Sequence, residues 1–212
     1  IRNPLTSLKG ASEVLDNTSD SEKRKKLIKV IGHDVERIER LITDYSQMLK
    51  DEASLSRAKM EKIDLSTVVK SVVEDFNSDL LNSNKNIEIK INHSNLNGSK
   101  INVLGVESKL EQIIANLLDN AVSFSPSDSK ISVICGIKKK EAQLVIEDEG
   151  PGFNEKNIYK VFNRFYSNRP EKFGEHSGLG LNIVKNIVEL HKGSIVASNQ
   201  YGNKKGARIV VL

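Results

Sequence analysis

A chain of 212 residues with 38% hydrophobic and 28% charged content is long enough for one or two domains with a real core. The net charge of +4 is mild, and its basic runs, Lys23-Arg-Lys-Lys26 and Lys138-Lys-Lys140, carry no interleaved aromatics, so they read as solvated surfaces rather than a nucleic-acid footprint. No apolar run approaches the roughly 18 residues of a membrane-spanning helix, no stretch of these residues reads as a signal peptide, and the lone Cys135 can form no internal disulfide.

The first sixty residues predict a helical hairpin. Leu5, Leu8, Ser12 and Leu15 recur at three- and four-residue steps along one helix. Turn and capping residues at 16–21 interrupt it. In the long second helix Leu27, Ile31, Ile38, Leu41, Tyr45 and Met48 form a heptad seam, with Asp34 as the polar intruder and Val35, Ile42 and Leu49 widening the stripe. Two helices cannot bury a stripe that wide, so two hairpins are expected to pair as a four-helix bundle. The chain opens on Ile1 inside this helical pattern and reads as a fragment, with Pro4 read as a kink.

Residues 51–63 lose the heptad and read as a helix end and a connector. Beyond them the pattern predicts a helix over 64–81, strands over 87–91 and 101–104, and a helix over 106–124 ended by Pro126. A strand hairpin through 138–141, a helix over 178–191 and a last pair of strands over 194–197 and 207–212 complete the chain. The fold class is therefore α+β: an antiparallel helical hairpin at 1–57, a linker at 58–63, and an α/β sandwich at 64–212 with a mixed, largely antiparallel sheet.

Four short strings carry chemistry. Asp148-Glu-Gly-Pro-Gly152 follows a strand, so its carboxylate can accept from the exocyclic amino group of adenine while disfavouring the guanine carbonyl. Gly150 and Gly152 let the main chain approach a flat ring. Asn116 and Asn120, in Asn116-Leu-Leu-Asp-Asn120-Ala, share a helix face, and their amide oxygens are hard neutral donors for a Mg²⁺ bridging phosphates. Gly178-Leu-Gly-Leu181 opens a helix whose first N–H groups can receive phosphate oxygens. Phe162-Asn-Arg-Phe-Tyr166 lies in the stretch of about 25 residues without strong periodicity between the two glycine strings, and a loop that long is usually a lid or a disordered segment. In isolation each string is as well explained by a turn or a cap; their order and spacing on the right elements point to ATP.

In this order the strings resemble the core of two-component sensor histidine kinases. Residues 116–126 resemble that family's N-box, 148–152 its first glycine box, 162–166 its F-box and 177–181 its second glycine box. Ile1-Arg-Asn-Pro-Leu5 resembles the tail of the H-box, and the wording of 168–177 is similar to that of ChvG-like sensor kinases. The resemblance implies ATP and Mg²⁺ as cofactors, held by Asn116, Asn120, Asp148, Gly150, Gly152, Arg164, Ser177, Gly178, Leu179, Gly180 and Leu181, with Asn116 and Asn120 at the metal. It implies a phosphoacceptor histidine just before Ile1, autophosphorylation, and relay to an aspartate of a response regulator. Asn3 would orient water for dephosphorylating that regulator, and Arg164 would steady the γ-phosphate. A homodimer, the cytoplasmic side of an inner-membrane sensor, and no membrane contact by these residues are implied too.

Two features depart from the family. The lysine common three residues after the second N-box asparagine is Ser123 here, and His33, His93, His176 and His191 lack an H-box context and read as surface or lid residues. The alternatives are a non-catalytic nucleotide-binding or dimerisation module, and a hydrolytic relative of the gyrase type. The latter places a glutamate where this chain has Asn116, and an amide is not a base.

Overall fold

The computed structural model describes residues 2–55, 58–81, 85–94, 100–154, 157–166, 178–202 and 205–212. They divide into two compact units, residues 1–51 with 164–179 and residues 52–163 with 180–212.

The first unit holds two helices, α1 (Arg2–Asp16) and α2 (Ser21–Leu55). Pro4 lies within α1. The break between the helices is built locally. Asp20 Oδ1 accepts from the N–H groups of Glu22 and Lys23, capping α2, while Arg24 Nη1 donates to the carbonyls of Leu15 and Thr18 at the end of α1. Leu8, Leu15, Leu27, Ile31 and Ile38 are half-buried, and Ala11 and Asp34 are buried. Val35, Ile42 and Leu49, which widen the stripe, stay 40%, 57% and 47% exposed. The Phe165 ring lies 6.5 Å from that of Tyr45.

In the second unit Asp64 ends a short strand, β1 (Glu61–Asp64), and caps the helix that follows, α3 (Leu65–Leu81). Its carboxylate accepts from the N–H and hydroxyl of Ser66, the hydroxyl of Thr67 and the N–H of Ile101. The sequence offers no strand there, because residues 61–64 show no apolar alternation; β1 exists through pairing with β3 (Asn102–Gly105) as a separate antiparallel ribbon.

The main sheet has five strands in the order β2-β4-β5-β7-β6, with ranges Ile87–Ser94, Ser129–Lys138, Glu141–Glu147, Ala207–Val211 and Ile195–Asn199 respectively. Among the described residues only β2 and β4 run parallel, joined by a crossover that includes α4 (Glu107–Phe124); the remaining pairs are antiparallel. The expected mixed, largely antiparallel sheet is what forms. Alternation sends Ile87, Ile89, Ile131, Val133, Cys135, Leu144, Ile146 and Ile209 into one core with Val69 and Val73 of α3, Ile114, Leu117 and Leu118 of α4, and Val184 and Val188 of α5 (Gly180–Leu190). Burial pushes the Cys135 thiol up to about 12, so it is an inert core residue at neutral pH.

Candidate functional site

The helix α4 is the spine of the candidate site. Leu110, Ile113, Ile114, Leu117, Leu118 and Ala121 anchor one face in the core, and this fixes the rotation at which Asn116 and Asn120 emerge half-buried beside it. Asn120 Nδ2 donates to the main-chain carbonyl of Asn116 at 2.8 Å, which sets the amide so that its Oδ1 points away from the helix backbone. Gly180 at the start of α5 lies against both amides: a Cβ there would sit 3.4 Å from Asn120 Nδ2 and 3.5 Å from Asn116 Oδ1. One turn further on, Phe124 ends α4 and its carbonyl backs the glycine loop, 2.9 Å from where a Gly150 Cβ would stand. Positions 116, 120 and 124 climb the helix in steps of about 6 Å. The two amides and the loop after β5 therefore line up along one helix.

Asp148 stands just past the end of β5 and is 7% exposed. Its Oδ1 accepts from the N–H of Gly150 at 2.8 Å and of Ala207 at 3.1 Å, while Oδ2 accepts nothing among the described residues. Burial raises its pKa above the usual 3.8, and the two N–H donors pull the other way. A fixed carboxylate with one oxygen anchored and the other open is an acceptor for a single well-placed donor. Gly152 turns with a φ of +75°, a conformation that L side chains rarely adopt.

The remaining expected residues divide by unit. Leu181 is half-buried in α5 and packs on the core. Gly178 takes a φ of +70° against the Tyr166 carbonyl, Leu179 is completely buried, and Arg164 is exposed. Asn3 lies in α1, but its side chain falls outside the described residues, as does Ser177 altogether.

As for a metal, the described residues contain no group of three or more His, Cys, Asp or Glu side chains that would cage one. Two neutral amide oxygens beside a helix N-terminus fit a Mg²⁺ that arrives on phosphates and keeps most of its ligands from them.

Several supporting residues give no signal in the sequence. The Lys85 ammonium donates to the carbonyls of Val122 at 2.9 Å and Ser125 at 3.1 Å, capping the C-terminal end of α4 with positive charge. Asn182 Nδ2 donates to the Phe162 carbonyl at 2.9 Å, tying α5 to the 3₁₀ turn Ile158–Phe162 that opens the F-box-like string. His191, expected at the surface or in the lid, is half-buried: Nδ1 lies 2.8 Å from the Ile187 carbonyl and Nε2 accepts from the Val106 N–H at 3.2 Å, which pins α5 to the start of α4. A histidine just past the end of a helix looks exposed in sequence; its partner is 85 residues away.

Known proteins share this chain's domains and fold. Residues 105–212 match the histidine kinase-, DNA gyrase B- and HSP90-like ATPase family, and residues 1–54 match the His Kinase A (phospho-acceptor) domain. The chain belongs to the two-component sensor histidine kinase family. Sensor protein ChvG of Agrobacterium fabrum is 37% identical over 219 residues, covering 100% of this chain and 37% of that protein. This histidine kinase chain thus spans a little over a third of the length of the ChvG proteins it matches, at 37% and 38% of them. Among solved structures, the mycobacterial sensor histidine kinase MprB is similar at 29% identity with a TM-score of 0.59, over 72% of this chain and 95% of that one. Histidine kinase ThkA, solved in complex with the response regulator TrrA, shares the fold at 21% identity with a TM-score of 0.68, over 99% of this chain and 57% of that one. No described helix is long and apolar enough to cross a membrane.

Proposed function

We propose that this chain binds Mg-ATP and delivers its γ-phosphoryl group to a histidine lying just before Ile1, from which it passes to an aspartate of a response regulator. The observation that carries the reading is Asp148: a buried carboxylate held by Gly150 and Ala207 N–H groups with one oxygen open, in a loop that at Gly150 meets Phe124, the last residue of the helix bearing both amides. Asp148 Oδ2 accepts from the exocyclic amino group of adenine. Asn116 and Asn120 would hold the Mg²⁺, which neutralises charge on the phosphates when bound. The first N–H groups of α5 receive phosphate oxygens, and Arg164 steadies the γ-phosphate. The histidine nitrogen forms its bond to phosphorus as the bond to the β–γ bridging oxygen breaks, and ADP leaves. Nothing else on these residues is asked to do covalent chemistry; their work is positioning and charge.

In this reading residues 1–57 form the dimerisation and phosphoacceptor hairpin, residues 58–63 link it, and residues 64–212 bind nucleotide. A second copy covers the exposed Val35, Ile42 and Leu49. The complex formed by ThkA supports a regulator as partner, and the ChvG relatives, named as sensor proteins, support an inner-membrane sensor whose cytoplasmic part this is. Asn3 orients water for dephosphorylation of the regulator, so Asn3→Ala should impair phosphatase activity more than autophosphorylation.

Hydrolysis of ATP by water is disfavoured, because position 116 carries an amide where a base would be needed. A chain extended a dozen residues upstream, incubated with γ-labelled ATP, tests the reading. Acid-labile, base-stable label on a histidine is expected; free phosphate with no label on protein would favour the hydrolytic alternative.

A further inference from the structure

The glycine loop from Asp148 to Phe153 runs beyond β5, and main-chain pairing to β7 reaches only its first residue, Asp148. Two neighbouring side chains where β6 ends grip the loop as well. Asn199 Oδ1 accepts from the Phe153 N–H at 2.6 Å, and Asn199 Nδ2 donates to the Phe153 carbonyl at 3.0 Å. A planar carboxamide is thus matched to both polar groups of one residue, a match that requires an acceptor and a donor on the same side chain. Gln200 Nε2 donates to the Asp148 carbonyl at 2.7 Å. One amide holds the loop's far end and the next holds its near end.

The rest of the β6–β7 turn closes on the same place. Asn199 is the register partner of Ala207, whose N–H reaches Asp148 Oδ1 and whose carbonyl accepts from the Asp148 N–H at 3.1 Å. Gly206 brings the turn so near that a Cβ would stand 1.7 Å from the Asp148 carbonyl oxygen, and a Cβ on Gly152 would stand 2.7 Å from Asn199 Oδ1. Neither approach tolerates a side chain. The C-terminal hairpin is therefore fitted to the loop, and the loop's curvature between Asp148 and Phe153 is the distance between two amide grips.

We propose that Asn199 and Gln200 are positioning residues for base recognition: they hold the loop so that Asp148 Oδ2 meets the amino group of adenine and not the carbonyl of guanine. The proposal deepens the Mg-ATP reading above and rests on it. Asn199 is exposed, so its two hydrogen bonds contribute little to global stability; what they determine is the loop's form.

The test uses the full chain and measures dissociation constants for Mg-ATP and Mg-GTP alongside thermal unfolding. Asn199→Asp keeps the size and the acceptor but sets an oxygen against the Phe153 carbonyl. It should weaken ATP binding about tenfold, or about 1.4 kcal/mol, while GTP binding moves less than about twofold, so that the preference for ATP collapses. Gln200→Ala should shift the preference in the same direction by a smaller factor. Unchanged ATP-to-GTP ratios in both variants would overturn the proposal, as would ATP and GTP affinities falling together in step with the melting temperature. A parent chain that binds no ATP would instead bring down the nucleotide reading itself.

Discussion

Asp148 carries opposed influences, and their balance has two measurable consequences. Burial holds its pKa above 3.8 against the pull of the Ala207 and Gly150 donors. As pH falls through that raised value the carboxylate takes up a proton and Oδ2 no longer offers a free acceptor. ATP affinity should therefore weaken on acidification sooner than an ordinary aspartate titrates, and calorimetric titrations across the acid range check it. The raised value also means that the ionised form costs folding free energy above it, a cost absent below the unfolded value. Asp148→Asn should consequently melt no lower than the parent at neutral pH while losing nucleotide binding. Asp64 has the opposite sign. Its bonds, led by the Ser66 hydroxyl, hold its pKa below 3.8, so its contribution is fully present above the unfolded value and is lost as pH falls through the lower folded one. Asp64→Ala should cost about 1 kcal/mol as a lost helix cap and flatten the acid limb of stability, as denaturant melts at two pH values would show.

Among the elements, α4 shows which parts of the site the sequence discloses. Its apolar spacing and the two asparagines one turn apart are visible as a pattern, and the helix appears where the pattern puts it, as Glu107–Phe124. What fixes its ends is not visible. Lys85 at one end and His191 at the other come from residues remote in the chain, and nothing local distinguishes them from surface residues. The same holds for β1, which owes its extended form to β3, and for Asn199 and Gln200, whose partners lie about fifty residues back. Local periodicity reports burial and capping; it is silent on hydrogen bonds made across the fold. His191→Ala should thus lower stability by about 1–2 kcal/mol through the orphaned Val106 N–H, measurable by denaturant unfolding. In α2, Asp34 was legible as an intruder in the seam, and it is buried with Oδ2 unpartnered among the described residues.

At the scale of the molecule, the hairpin leaves Val35, Ile42 and Leu49 substantially exposed within one chain. If a second copy covers them, Ile42→Glu should shift the sedimentation coefficient from dimer to monomer while leaving ATP binding by residues 64–212 in place. The central claim is narrower than phosphotransfer, which follows only if the nucleotide binds. It is tested most directly by titrating ATP with magnesium into the chain and into Asp148→Asn in a calorimeter. Saturable heat with the parent and none with a folded Asp148→Asn is the expected result; equal binding by the two, or none by the parent, would contradict the account.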